Sequence, residues 1–174
     1  MTNPKILARR VLGGLAVVAA ASALAATPAL AGPAQHAAPA CRPARLSVSL
    51  DGVDAGAGQR YTTLDISTAG LPCTITGIPT GLTFLDANGA ALATTPIVEG
   101  PAATPVTVTA TSPAQLVLHT SPVDVEGDLT ISPSALSFYL PGARTATTIA
   151  WQAGEVDGNG SVQFGAIQAA PTSS

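Results

Sequence analysis

Acyl-transfer chemistry needs a nucleophile, a general base and an orienting carboxylate, and the base is usually a histidine. This chain has two histidines, His36 and His119. His36 sits in an Ala/Pro-rich stretch and reads as incidental. His119 follows Val117 on the face opposite Leu116 and Leu118, which predicts a solvent-facing or rim position. No Gly-x-Ser-x-Gly elbow or other nucleophile motif accompanies it. Paired carboxylates could serve a glycosidase, but the acids are scattered. The six aromatics, Trp151, Tyr61, Tyr139, Phe84, Phe138 and Phe164, are too few to fill a core and also furnish a sugar-stacking platform. Trp151, after Thr148-Ile-Ala150, is expected in the core. A sugar-binding module would need two or more exposed aromatics on one face.

Metal chemistry has two candidates. Asp124, Glu126 and Asp128 alternate, so three hard-oxygen ligands could meet on one strand face or in a loop and hold calcium weakly. A solvated edge or loop kept soluble by charge is the preferred reading. Asp157-Gly-Asn-Gly-Ser161 has the 1-3-5 oxygen spacing of a calcium loop. Val162 and Gln168 stand where that loop needs Gly and Glu, so the segment reads as a turn. There is no zinc spacing, phosphate loop or dinucleotide fingerprint. The sequence therefore assigns no catalytic residue, no cofactor site and no metal site.

The composition agrees. The 174 residues are 47% hydrophobic, 10% charged and 3% aromatic, too apolar for a disordered chain and of a length for one domain, at most two small ones. Three of the seven basic residues, Lys5, Arg9 and Arg10, lie in the first ten positions. Beyond them stand only Arg42, Arg45, Arg60 and Arg144 against ten acidic residues, a formal charge of −6. A nucleic-acid surface needs clustered Lys and Arg to displace counterions, so nucleic acid is excluded as a partner.

The positive start leads into an apolar run, Val11–Ala26, of 16 residues, short of the ~20 that a spanning helix needs. Pro28 breaks it, and Ala29-Leu30-Ala31 supplies a small-x-small site, which predicts a signal peptide over 1–31 with cleavage between Ala31 and Gly32. An uncleaved membrane anchor is the alternative. Arg9-Arg10 lacks the rest of a twin-arginine signal, which favours the general secretory route. Cys41 lies too far from the apolar run for a lipid attachment site. No later segment is long and apolar enough to span a membrane. Residues 32–40 read as an unstructured leader and 169–174 as a flexible tail.

The elements between, residues 41–168, alternate with period two. Leu46, Val48 and Leu50 alternate with polar neighbours; so do Leu64 and Ile66, Leu82 and Phe84, Val106 and Val108, Leu116 and Leu118, and Leu136, Phe138 and Leu140. That is the pattern of half-buried strands. Turn signals separate the runs. Asn88-Gly89 is the strongest, because both residues tolerate the positive φ of a tight hairpin; it predicts a hairpin joining Leu82–Asp86 to Ala90–Ala93. About eight strands result, an all-β antiparallel sandwich in a single domain. Two cysteines, Cys41 and Cys73, flank the first two strands. In an exported chain an even pair reads as a disulfide, with two buried free thiols as the alternative.

This order of residues resembles a family of secreted actinobacterial proteins, domain of unknown function 4232. The resemblance rests on Cys41, Leu46-Ser-Val48, Gly56-Ala-Gly58, Leu64-Asp-Ile66, Cys73-Thr-Ile-Thr-Gly77-Ile-Pro79, Leu85-Asp86-Ala-Asn-Gly89 and Leu136-Ser-Phe-Tyr-Leu-Pro141-Gly142. The chain lacks the family's usual Asn before the second Cys, carrying Ser67-Thr68 there, and lacks a second cysteine pair. The resemblance implies an immunoglobulin-like β-sandwich outside the membrane and no particular activity.

Two functional classes follow. The first is a secreted or cell-wall-associated, non-catalytic module that binds or packs against an unknown envelope or extracellular partner. The second is an exported hydrolase or metal-dependent enzyme using His119 and the acids. N-terminal sequencing of exported protein is expected to begin at Gly32; Met1 or Thr2 on membrane-bound material would establish the anchor instead.

Overall fold

The computed structural model describes residues 37–56, 58–121, 130–157 and 159–171. Within them the chain is all-β, and its one short helical piece is a 3-10 turn, Pro43–Arg45. Eleven strands follow in order: β1 (Leu46–Gly56), β2 (Gln59–Thr68), β3 (Cys73–Ile75), β4 (Thr80–Leu85), β5 (Thr95–Val98), β6 (Val106–Val108), β7 (Ala114–Thr120), β8 (Ala135–Tyr139), β9 (Thr147–Ala150), β10 (Ser161–Phe164) and β11 (Gln168–Ala169). The sequence led us to expect about eight. The excess comes from short strands of two to four residues, which offer too few positions for an alternation to register.

The largest sheet runs β1-β2-β7-β10-β5, with β11 also paired to β7. A three-stranded sheet, β4-β8-β9, and a two-stranded one, β3-β6, complete the fold. Alternation dictates which side chains turn inward. Strand β2 buries Thr62, Leu64, Ile66 and Thr68, and β7 buries Ala114, Leu116, Leu118 and Thr120. These meet Leu82 and Phe84 of β4 and Leu136 and Phe138 of β8 in one core fed by all three sheets. Trp151 is part of it, 6% exposed, its ring edge-on to Phe84 at 4.9 Å, and its indole N–H donates to the Gly154 carbonyl at 2.8 Å. With so few aromatics, Phe84, Phe138, Phe164 and Trp151 are all spent on the core.

One pairing departs from the antiparallel expectation. Strand β5 lies parallel to β10, with Thr95 opposite Ser161 and Val98 opposite Phe164. Pro96 has no N–H to donate, which suits an edge strand.

The Asn88-Gly89 turn forms, but differently from the expectation. Only Gly89 takes positive φ (80°); Asn88 does not. The Asp86 carboxylate fastens the turn, its Oδ1 accepting from the N–H groups of Asn88 and Ala90, each at 2.8 Å. The return arm Ala90–Ala93 is no strand: Ala91 alone bridges to Leu85, and the Phe84 N–H donates to the Thr94 hydroxyl at 2.9 Å.

Cys41 and Cys73 are joined in a disulfide. Around it the Cys41 N–H donates to the Thr74 carbonyl and the Thr74 N–H to the Pro39 carbonyl, both at 2.8 Å. Ala38 also accepts from the Thr74 hydroxyl at 3.2 Å. Residues 38–40 of the expected unstructured leader are thus tied to β3. At the other end, Ala169 of the expected tail pairs with Ala114 in β11.

Closing a loop of about 33 residues with a covalent bond is worth roughly 3–4 kcal/mol of chain entropy. Cys73→Ser is expected to lower Tm by about 10 °C, and intact mass with and without reductant should show the bond. Two free thiols, or a shift below ~2 °C, would contradict this.

The backbone N–H of Ala90, ahead of that of Asn88, holds the Asp86 carboxyl below its ordinary value of 3.8. A folded-state value below the unfolded one gives stability that is full above the unfolded value and is lost as pH falls through the folded one. Asp86→Ala should therefore lower Tm at neutral pH, and thermal melts of the two proteins should converge well below pH 3.8.

Candidate functional site

The outer face of the large sheet carries the polar alternates. In register across it stand Asp54 of β1, Tyr61 of β2, His119 of β7, Gln163 of β10 and Ile97 of β5, one row over five strands. Paired residues place neighbouring side chains close enough to touch. Tyr61 and His119 stack with ring centroids 4.6 Å apart and planes 3° from parallel. On the far side, the His119 Nδ1 lies 2.8 Å from Gln163 Oε1.

A cleft of about 320 Å³ opens over this row. Its floor is Tyr61, Val117, His119 and Gln163; its walls are the segments 99–104 and 164–168. The first wall is fixed where the Glu99 N–H donates to the Phe164 carbonyl at 2.8 Å. Gly165 permits that approach, since a Cβ there would lie 2.7 Å from the Glu99 carbonyl oxygen.

Gln163 Oε1 can only accept, so Nδ1 donates to it, and in an uncharged ring Nε2 is then an acceptor. That atom is buried and has no partner among the described residues. A buried acceptor without a donor costs free energy, on the order of 1–3 kcal/mol. Among the described residues it is the one buried side-chain polar atom of the cleft floor without a partner. His119 lies on the outer face as the alternation predicted, yet it is half-buried, enclosed by Tyr61 and Gln163.

Among the described residues Glu99 is the single carboxylate lining the cleft, and the imidazole is oriented by an amide, where a base of the triad kind is held by a carboxylate. No group of three His, Cys, Asp or Glu able to hold a metal ion is found among the described residues. Asp124, Glu126 and Asp128, like Ala31, Gly32 and His36, lie outside those residues. Asp157-Gly-Asn-Gly-Ser161 makes a turn: the Ser161 N–H donates to the Asp157 carbonyl at 3.1 Å, and Asn159 takes φ 59°. The Asp157 side chain is 8% exposed, with Oδ1 unpartnered among the described residues. Tyr61 and Tyr139, 42% and 39% exposed, belong to different sheets, so they form no common aromatic platform.

Gln163 and the Glu99–Thr104 wall carried no sequence signal. Their roles follow from β10 pairing with β7 and β5, contacts made across tens of residues. A signal did exist for His119 and Tyr61, each a polar alternate in a strongly patterned strand, but nothing local says that those two strands are neighbours.

No curated protein and no solved structure matches the chain. A family model does, over residues 41–170, and by that match the chain belongs to the domain-of-unknown-function family DUF4232.

Proposed function

We propose that this protein is an exported, non-catalytic binding module with an immunoglobulin-like β-sandwich, and that its ligand sits in the cleft over Tyr61, His119 and Gln163. The observation that carries this reading is the buried, unpartnered Nε2 of His119 on the cleft floor. A ligand that lays an apolar edge on Val117 and the Tyr61 ring, and draws the imidazole towards the cleft to donate a hydrogen bond to Nε2 from a hydroxyl or N–H, would supply the missing partner. The cleft is of the size that small ligands occupy. Export is supported by the paired cysteines, which persist in oxidising compartments, and by the signal-like first 31 residues. No helix among the described residues is long and apolar enough to cross a membrane.

The competing reading is a hydrolase that uses His119 as base. One experiment separates the two. Isotope-labelled protein beginning at Gly32 is titrated with soluble glycans and short peptides while the His119, Tyr61 and Gln163 resonances are followed. The same protein and its His119→Ala variant are assayed on ester, glycan and peptide substrates. Binding confined to these residues, weakened about tenfold by His119→Ala, with no hydrolysis, is expected. Hydrolysis lost in a folded His119→Ala protein would instead establish the enzyme.

A further inference from the structure

Four arginines stand in the chain beyond residue 31. Arg60 is half-buried and donates to the Ala153 carbonyl. The other three are exposed and gather at the end of the domain where the disulfide lies. Arg42 and Arg45 line a cleft of about 280 Å³ with Leu71, Pro72 and Cys73. Arg144 lines a neighbouring cleft of about 470 Å³, and Leu46 belongs to both. Among the described residues no carboxylate lines either one.

Beside these cations Leu71 is 86% exposed, more than any other large hydrophobic side chain among the described residues. Its position is fixed rather than loose. The Gly70 N–H donates to the Thr68 hydroxyl at 3.1 Å, Pro72 restricts the backbone, and Cys73 is covalently tied to Cys41. A rigidly presented leucine with Arg42 and Arg45 in its own cleft and Arg144 in the next is the chemistry of a surface that meets anionic headgroups and a hydrocarbon boundary together.

We propose that this end of the domain docks on anionic phospholipid bilayers, with Leu71 entering the headgroup layer and Arg42, Arg45 and Arg144 holding it there. The remaining charge selects the orientation. Without these three arginines the rest of the chain beyond residue 31 carries Arg60 against ten acids, so other approaches to a negative surface are opposed by like charge. This docking face is separate from the cleft over His119 and does not depend on that cleft's being a ligand site. A soluble polyanion would also meet the arginines, but it would gain nothing from an exposed leucine.

The test is sedimentation with vesicles, using the chain that begins at Gly32. It contains every strand, the disulfide and the whole core, and lacks the apolar run that would itself partition into lipid. Binding is expected to vesicles of phosphatidylglycerol and phosphatidylcholine, to be absent with phosphatidylcholine alone, and to weaken as salt is raised. Each of Arg42→Ser, Arg45→Ser and Arg144→Ser should weaken it about fivefold, and Leu71→Ser about tenfold; all four positions are exposed, and circular dichroism confirms the fold of each variant. No binding at low salt, equal binding to phosphatidylcholine, or full binding by Leu71→Ser would overturn the proposal, the last by showing a polyanion site only.

Discussion

The clamp around Cys41 and Cys73 is the constraint on which the first third of the fold depends. Strand β1 is an edge: its ladder partner is β2 alone, and its inward residues Leu46, Val48 and Leu50 are only partly buried. Apolar burial contributes about 25 cal/mol per Å², so a half-buried strand has less to hold it than β2 or β7, whose inward side chains are fully covered. The disulfide, with the hydrogen bonds from Cys41 and Thr74 beside it, fixes the chain immediately before β1 to the start of β3. Both ends of the β1–β2 hairpin are thereby anchored to the body of the domain. The strand's ladder need not supply that anchorage by itself.

That division also governs how far the sequence could be read. Strongly covered strands declare themselves: Thr62-Thr-Leu-Asp-Ile66 and Leu116-Val-Leu118 show the burial alternation they predicted, because every second side chain meets the core. Short strands do not. Three residues at Val106–Val108 or two at Gln168–Ala169 are fixed by their neighbours, and a propensity over so few positions carries little information. The parallel neighbour of β10 was invisible for another reason: residues 95–98 look like an edge segment with a proline, and nothing in them names the partner more than sixty residues on. The Asn88-Gly89 turn was legible as a turn, while its form was decided by the Asp86 side chain, which takes two backbone N–H groups and leaves positive φ to Gly89 alone.

The cleft shows the same split between local and distant information. Alternation placed Tyr61 and His119 on outer faces, but only the register of β2, β7 and β10 sets the phenol, imidazole and amide in one row. The sequence showed that catalytic motifs were missing; it could not show that one histidine nitrogen would be left buried beneath an open cleft. Composition supplied the other half of the picture. Beyond residue 31 the basic charge is four arginines, and three of them, Arg42, Arg45 and Arg144, stand near the start of β1, at the opposite end of that strand from Asp54 and its partner Tyr61.

The parallel pairing of β5 with β10 has a consequence for the order in which the domain can assemble. Gly160, at φ 73°, lets its own chain pass so close to the Ala93 carbonyl that a Cβ would lie 2.1 Å from the oxygen, and its carbonyl accepts from Thr95 at 3.0 Å. Strand β5, Thr95–Val98, therefore finds its ladder partner only after the segment around residues 160–164 has been made. Contacts of such long sequence separation delay folding, since loop closure must come first. A chain threaded out of a cell from its N-terminus would expose the unfinished edge of β7 until nearly its last residues emerged. A terminator placed anywhere before β10 would leave an open sheet, a template for pairing with other chains, rather than a smaller version of the same domain.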